Sequence, residues 1–128
     1  PVLVSFVCGA DDRLLSGEAL SAAVAAVAPF GPDALLVNCI PAPLVADALR
    51  ELASHSPLPV GAYGNLGPPV ASDRWELEDE VTPDRYAALA RDWVALGARI
   101  VGGCCGTTPA HIAALGDLRP TEPRTNLS

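Results

Sequence analysis

The chain has 128 residues, of which 50% are hydrophobic, and a formal net charge of −7 at pH 7. Its length suffices for one domain with a hydrophobic core, whereas a complete (β/α)8 barrel needs roughly 250 residues. The negative charge argues against nucleic acid or an anionic membrane as a partner, because both attract clustered positive charge. Proline, glycine or charged residues interrupt every apolar run before it reaches membrane-spanning length, which predicts a soluble protein.

Short apolar runs predict four buried strands, at residues 1–7, 34–38, 58–63 and 98–101. Apolar residues at helical spacing predict a helix after each strand, at residues 17–28, 41–54, 82–96 and 109–115. Ser16 and Thr108 are the expected N-caps of the first and fourth helices, and Gly97 is expected to end the third. Consecutive βα units wind right-handed with parallel strands. We therefore expect an α/β fold of four consecutive βα units, which is half of a (β/α)8 TIM barrel.

Two stretches are predicted to be irregular. Residues 64–81 contain prolines, acids and Trp75, and such long loops after barrel strands are functional or disordered. Residues 117–128 contain two prolines and few apolar residues, which predicts a flexible tail after a half-barrel domain at residues 1–116. The four cysteines lack the dense spacing of a secreted disulfide scaffold, which favours reduced thiols in the cytoplasm.

Two adjacent cysteines, Cys104 and Cys105, lie in a glycine-flanked turn between the fourth strand and the fourth helix. Open parallel sheets and barrels place their chemistry at the carboxyl ends of strands. Cys39 ends the second strand, and in a barrel alternate strands contribute inward side chains at one level. Three thiolates on Zn²⁺ would leave a fourth tetrahedral position open, which is typical of a catalytic site. Two other interpretations are three buried cysteines that only pack and a disulfide.

Three motifs at strand ends occur in a fixed order along the chain. They are Val37-Asn38-Cys39, Tyr63-Gly64-Asn65-Leu66-Gly67, and the run from Trp93 through Gly102-Gly103-Cys104-Cys105-Gly106-Thr107-Thr108-Pro109. In this order they resemble the carboxyl-terminal half of the zinc-dependent homocysteine S-methyltransferases. The resemblance implies that Cys39, Cys104 and Cys105 bind Zn²⁺ and that homocysteine accepts a methyl group to give methionine. The donor it implies is a sulfonium or ammonium compound, such as S-methylmethionine, S-adenosylmethionine or a betaine-like molecule.

The family's amino-terminal half, with the glutamate that helps to hold homocysteine, has no counterpart in these residues. The implied partner is therefore a missing amino-terminal half-barrel or a second copy of the chain. The alternative function is a non-catalytic half-barrel that binds zinc through thiolates and either self-associates or complements a separate amino-terminal half.

Four residues are candidates for binding the substrate: Asn38, Tyr63, Asn65 and Thr107. Asn38 could orient Cys39, contact the substrate or be an ordinary turn residue. The resemblance places Tyr63 and Asn65 in a pocket wall, and Thr107 could contact sulfur or a carboxylate at a helix N-terminus. Other polar and thiol groups have simpler expected roles: Cys8 packs in the core, His55 and His111 are structural or exposed, and the acidic clusters at 11–12 and 76–80 are solvated loops.

Overall fold

A computed structural model describes residues 1–9, 11–67 and 81–118. The four strands are β1 (Leu3–Phe6), β2 (Ala34–Pro41), β3 (Val60–Asn65) and β4 (Ala98–Gly103). The four α-helices are α1 (Leu20–Val27), α2 (Val45–His55), α3 (Pro83–Ala95) and α4 (Pro109–Leu115). Short 3₁₀ turns at Ala28–Phe30 and Ala42–Leu44 follow α1 and precede α2. The chain therefore alternates strand and helix four times, as the hydrophobic pattern predicts.

All four strands are parallel and lie in the sheet in the order β1-β2-β3-β4. Because each right-handed crossover moves one strand further in the same direction, the four helices cover one face of the sheet. Parallel strands place their carboxyl ends at a common edge. The residues that directly follow β2, β3 and β4 therefore start from this edge.

The hydrophobic core lies between this sheet and its helices. Leu35 and Val37 of β2 are fully buried, and they pack with Leu49 of α2 and with Trp93 of α3 in one cluster. Successive side chains of a strand point to opposite faces, so Leu36 and Asn38 belong to the face away from the helices. On that face Gly61 leaves room for Leu36 and Ile100, because a Cβ at residue 61 would lie 2.6 Å from the Ile100 carbonyl oxygen.

Two predicted helix starts are wrong. The first helix begins at Leu20 after Ala19, which makes no capping hydrogen bond with its side chain, because Ser16 instead hydrogen-bonds to Glu18. The second begins at Val45, because β2 continues through Cys39 to Pro41 and a 3₁₀ turn follows. The first strand is also shorter than predicted, and the third starts and ends two residues later.

The third and fourth helices begin where predicted. Thr82 caps α3 by accepting a hydrogen bond from the Arg85 N–H, Thr108 is the N-cap of α4, and Gly97 follows α3 with a φ of 108°. Most of the predicted long loop and all but the first two residues of the predicted tail lie outside the described residues, as does the acidic cluster at 76–80. Among the described helices, none is both long enough and apolar enough to cross a membrane.

Candidate metal centre

The carboxyl edge of the sheet brings three cysteine thiols together. Cys39 lies near the end of β2, and Cys104 and Cys105 follow β4 directly. Their sulfur atoms all lie within 4.8 Å of one another, and among the described residues no other group of three or more His, Cys, Asp or Glu side chains could hold a metal ion in this way. Cys39 and Cys104 are partly buried and Cys105 is exposed, so the cluster opens to solvent on one side.

The distances in the cluster suit a tetrahedral metal ion. Cys39 Sγ lies 3.7 Å from Cys105 Sγ, and Cys104 Sγ lies 4.0 Å from Cys105 Sγ. Two sulfurs bound to one tetrahedral Zn²⁺ at about 2.3 Å are separated by about 3.8 Å. No disulfide joins any of the four cysteines. Cys39, Cys104 and Cys105 could therefore bind a metal ion with little rearrangement.

Cys39 has an unusual backbone conformation. Its φ is +53°, in the left-handed region that residues other than glycine rarely adopt. The pairing of β2 with β3 shifts between Asn38 and Pro41, which marks a bulge at the same place. The Asn65 side-chain amide donates a hydrogen bond to the Cys39 carbonyl oxygen at 2.9 Å and lies 3.9 Å from its sulfur. This bulge redirects Cys39 at the edge of the sheet, and Asn65 holds it there.

A tight turn positions the other two thiols. The Thr107 hydroxyl donates a hydrogen bond to the Cys104 carbonyl oxygen at 2.7 Å, and the Thr107 N–H donates to the same oxygen at 3.1 Å. A Cβ on Gly103 would lie 2.4 Å from Thr107 Oγ1, so only glycine fits beside this side chain. The Cys104 N–H donates to the Gly64 carbonyl oxygen at 3.0 Å, which ties the turn to β3.

The thiols of the cluster differ in acidity. A hydrogen bond with Cys104 is the main cause that lowers the pKa of Cys39, with smaller contributions from Cys105 and Asn65, while partial burial opposes them. Burial is the main cause that raises the pKa of Cys104 to about 11. Of these two thiols, Cys39 is therefore the more acidic.

The structure separates the four predicted substrate-binding residues into two groups. Asn38 and Tyr63 are paired in register on the sheet face away from the helices, and both are partly exposed. Asn38 Oδ1 accepts a hydrogen bond from Ser5 Oγ at 2.6 Å. Asn65 and Thr107 instead use their polar atoms on the backbone of the cysteine segments, and Asn65 Oδ1 also accepts from the Gly67 N–H at 2.9 Å.

Sequence reasoning missed Tyr86 as part of this region. Its hydroxyl donates to the Gly102 carbonyl oxygen at 2.7 Å and accepts from the Gly64 N–H at 3.0 Å. Burial raises the pKa of this phenol to about 12, so it keeps its proton in neutral solution. The helical pattern shows which face is buried, but it carries no signal for these two hydrogen bonds.

The remaining thiol and both histidines have the structural roles expected of them. Cys8 is 5% exposed and belongs to the hydrophobic core, away from the cluster of three cysteines. His111 is buried with its Nε2 2.8 Å from the Val81 carbonyl oxygen, and the exposed His55 lies 3.1 Å from Glu51. Asp11 and Asp12 lie in the loop after β1, where Asp11 is exposed and Asp12 partly so.

The fold and the cysteines define an α/β protein with a candidate three-thiolate metal centre at the carboxyl edge of a parallel sheet. Residues 1–118 match the homocysteine S-methyltransferase family, and the chain belongs to that family. It is 37% identical over 114 residues to the homocysteine S-methyltransferase of Escherichia coli, a match that covers 87% of this chain. It is 38% identical over 114 residues to the methionine synthase of Mycobacterium leprae, covering 88% of this chain.

A solved structure agrees with this assignment. The crystal structure of the homocysteine methyltransferase MmuM from Escherichia coli, in its metallated form, superimposes with a TM-score of 0.70 at 34% identity over 88% of this chain. The chain spans only 34% of that structure, 36% of the Escherichia coli relative and 9% of the methionine synthase. The similarity therefore concerns one segment of each of these longer proteins.

Proposed function

We propose that the chain is the carboxyl-terminal, zinc-carrying half of a homocysteine S-methyltransferase. In this function the homocysteine sulfur forms a bond to the methyl carbon of a sulfonium or ammonium donor. The bond from that methyl group to the donor breaks at the same time, and its electron pair leaves with a neutral thioether or amine. The products are methionine and the demethylated donor.

The observation that carries this proposal is the cluster of Cys39, Cys104 and Cys105 at the carboxyl edge of the sheet, with all three sulfurs within 4.8 Å. Three thiolate ligands on Zn²⁺ leave one tetrahedral position for a further ligand. Zinc, when bound, lowers the pKa of a thiol ligand so that a substrate sulfur is a thiolate at neutral pH. The homologous protein MmuM has been solved in a metallated form, which supports a metal in this function.

The residues around the cluster hold and orient the sulfur ligands. Asn65 stabilises the left-handed backbone at Cys39 and points its amide at the thiolate. Thr107 fixes the Cys104 carbonyl oxygen and thereby the direction of the turn. Asn38 and Tyr63, on the open face of the sheet, are the residues we assign to substrate contact, since their polar groups remain partly exposed.

We further propose that the four βα units are half of a (β/α)8 barrel and that the substrate pocket needs the other half. Four parallel strands in sequential order with helices on one face are the arrangement of a barrel segment. In the described residues β1 and β4 each pair with one strand only. Pairing of β1 and β4 with strands of a separate amino-terminal half-barrel, or of a second copy of the chain, would satisfy the backbone hydrogen-bonding groups of both edges.

Metal analysis of the purified, reduced chain tests the ligand assignment. We expect about one Zn²⁺ per chain, and Cys39→Ser, Cys104→Ser and Cys105→Ser should each lower zinc affinity by more than about 100-fold. Cys8→Ala is the matched control, because it removes the buried thiol without placing a hydroxyl in the core. A reduced chain that binds no zinc, or that depends on Cys8 as strongly as on Cys39, contradicts the assignment.

The second candidate function is a non-catalytic module that binds zinc through its thiolates. The observation that favours it is that all three thiols of the cluster come from the described residues of this chain, so metal binding by thiolates needs no further segment. Methyl transfer to homocysteine by the zinc-loaded chain distinguishes the two functions. We expect little turnover from the chain alone, because positioning the two substrates contributes up to about 7–11 kcal/mol to such reactions. Turnover should appear when an amino-terminal half-barrel is added, whereas a non-catalytic module stays inactive with it.

A further inference from the structure

The hydroxyl of Tyr86 joins the carboxyl ends of two strands beside the thiol cluster. Tyr86 lies in the first turns of α3 and is 0% exposed. It donates to the carbonyl oxygen of Gly102 in β4 at 2.7 Å and accepts from the N–H of Gly64 in β3 at 3.0 Å. One side-chain oxygen from a helix thus connects adjacent strands at the point where they end.

Both backbone partners of Tyr86 are close to the cysteine turn along the chain or across the sheet. Gly102 precedes Cys104 by two residues. The carbonyl oxygen of Gly64 accepts the N–H of Cys104 at 3.0 Å, so the residue whose N–H binds Tyr86 also holds Cys104. A change in the distance between β3 and β4 at this level would therefore move Cys104 and Cys105 relative to Cys39.

The Tyr86 ring contacts two other aromatic rings in the core. Trp93 of α3 and His111 of α4 contact it edge to face, with centroids 5.5 Å and 5.8 Å away. His111 Nδ1 accepts from the Thr108 N–H at 3.2 Å, so its Nε2 carries the proton and donates to the Val81 carbonyl oxygen. The His111 ring thus connects the start of α4 to the segment before α3, with Tyr86 between them and the strands.

We propose that Tyr86 is a positioning residue of the metal centre, whose hydroxyl fixes the ends of β3 and β4 and so places Cys104 and Cys105 opposite Cys39. The inference rests on the proposed zinc site. This role differs from simple core packing, because the Tyr86 hydroxyl and its partners, the Gly64 N–H and the Gly102 carbonyl oxygen, lie next to the segment that carries Cys104 and Cys105. Trp93, which is 1% exposed and contacts the same ring, packs in the same core without a hydrogen bond to the cysteine segments in the described residues.

Tyr86→Phe removes the hydroxyl and keeps the ring, and Trp93→Phe is the matched control for loss of core packing. Zinc affinity of the reduced chain is measured by competition with a chromophoric chelator. We expect Tyr86→Phe to raise the zinc dissociation constant about 10- to 100-fold, as changes beside metal ligands do. Trp93→Phe should leave it within about twofold, even where its thermal midpoint falls further. Cobalt(II) bound to the Tyr86→Phe variant should also show altered thiolate charge-transfer absorption.

A second measurement needs no metal. Dibromobimane crosslinks neighbouring thiols. Trypsin cleavage after Arg50 and Arg99 then leaves Cys39 on one peptide and Cys104 and Cys105 on another, and mass spectrometry quantifies the crosslinked pair of peptides. The apo Tyr86→Phe chain should form this crosslink several-fold more slowly than the wild type, and Trp93→Phe should not. If Tyr86→Phe does not fold, 3-fluorotyrosine in a Tyr63→Phe background perturbs the same hydroxyl and should change the crosslinking rate.

The results separate this inference from the proposed function. A wild-type chain that binds no zinc refutes the metal site, while the crosslinking rates still decide whether Tyr86 positions the thiols. If the wild-type chain binds zinc, and Tyr86→Phe leaves the zinc affinity, the cobalt spectrum and the crosslinking rate unchanged, the proposed role of Tyr86 is wrong while the metal site stands.

Discussion

Gly103→Ala is the substitution that tests the tight turn most directly. The three heavy atoms nearest to the added Cβ all belong to Thr107, with Oγ1 at 2.4 Å, Cβ at 2.8 Å and Cγ2 at 2.9 Å. Thr107 cannot rotate away freely, because its χ1 is restricted by β-branching and its hydroxyl is bound to the Cys104 carbonyl oxygen at 2.7 Å. The methyl group must therefore displace the turn that carries both adjacent cysteines.

The expected cost follows from these contacts. Overpacking in a well-filled site costs about 1–3 kcal/mol, and losing the Thr107 hydrogen bond adds about 1 kcal/mol. We therefore expect Gly103→Ala to lower the free energy of unfolding by about 2–4 kcal/mol. Gly102→Ala is the matched control, since the nearest atom to its added Cβ is the Tyr63 Cβ at an ordinary 3.6 Å.

Urea unfolding of the reduced, metal-free chain measures this difference, and chelator competition measures zinc affinity in parallel. Gly103→Ala should be less stable than Gly102→Ala and should bind zinc more weakly. The double variant Gly103→Ala/Thr107→Gly should be close in stability to Thr107→Gly alone, because the clashing side chain is gone. If the two alanine variants are equally stable, the added methyl group does not clash with Thr107. The same conclusion follows if Gly103→Ala lowers the free energy of unfolding as much in the Thr107→Gly background as in the wild type.

Three further predictions concern stability, the cysteine turn and association. Burial raises the pKa of Tyr86 from 10.0 to about 12, so its contribution to stability is complete below pH 10 and is lost as the pH rises to about 12, by up to about 3 kcal/mol. Urea midpoints across that range should fall less steeply for Tyr86→Phe, and parallel curves would contradict this. Thr107→Val keeps the shape of the side chain but removes its hydrogen bond to Cys104, which should lower the free energy of unfolding by about 1 kcal/mol and weaken zinc binding. Unchanged zinc affinity would contradict the role of this hydrogen bond in positioning Cys104. Light scattering at micromolar concentration should detect a dimer if two copies pair β4 with β1, whereas a monomer with protected amides in both strands would exclude that pairing.

Hydrophobic periodicity was sufficient to predict the order and type of all four strands and all four helices. It predicted the ends of these strands and helices less accurately. Ser16 has the chemistry of an N-cap, yet its hydroxyl binds Glu18 and the helix starts at Leu20. Pro41 suits the first position of a helix, but here it ends a strand and precedes a 3₁₀ turn. At Ser16 a competing local hydrogen bond accompanies the later helix start, whereas at Pro41 the pairing with Asn65 of β3, distant in sequence, extends the strand.

For the candidate metal centre, the order of residues alone predicts which thiols are available and that they follow strands two and four of a parallel sheet. Strand order and direction then place Cys39, Cys104 and Cys105 at one edge, because parallel strands end together. Three features became visible only in the folded chain: the left-handed backbone of Cys39, the close contact of Thr107 with Gly103, and the hydrogen bonds of Tyr86 to Gly64 and Gly102. These features depend on side chains that meet from different helices and strands, and their distances are set by packing rather than by any local pattern of residues.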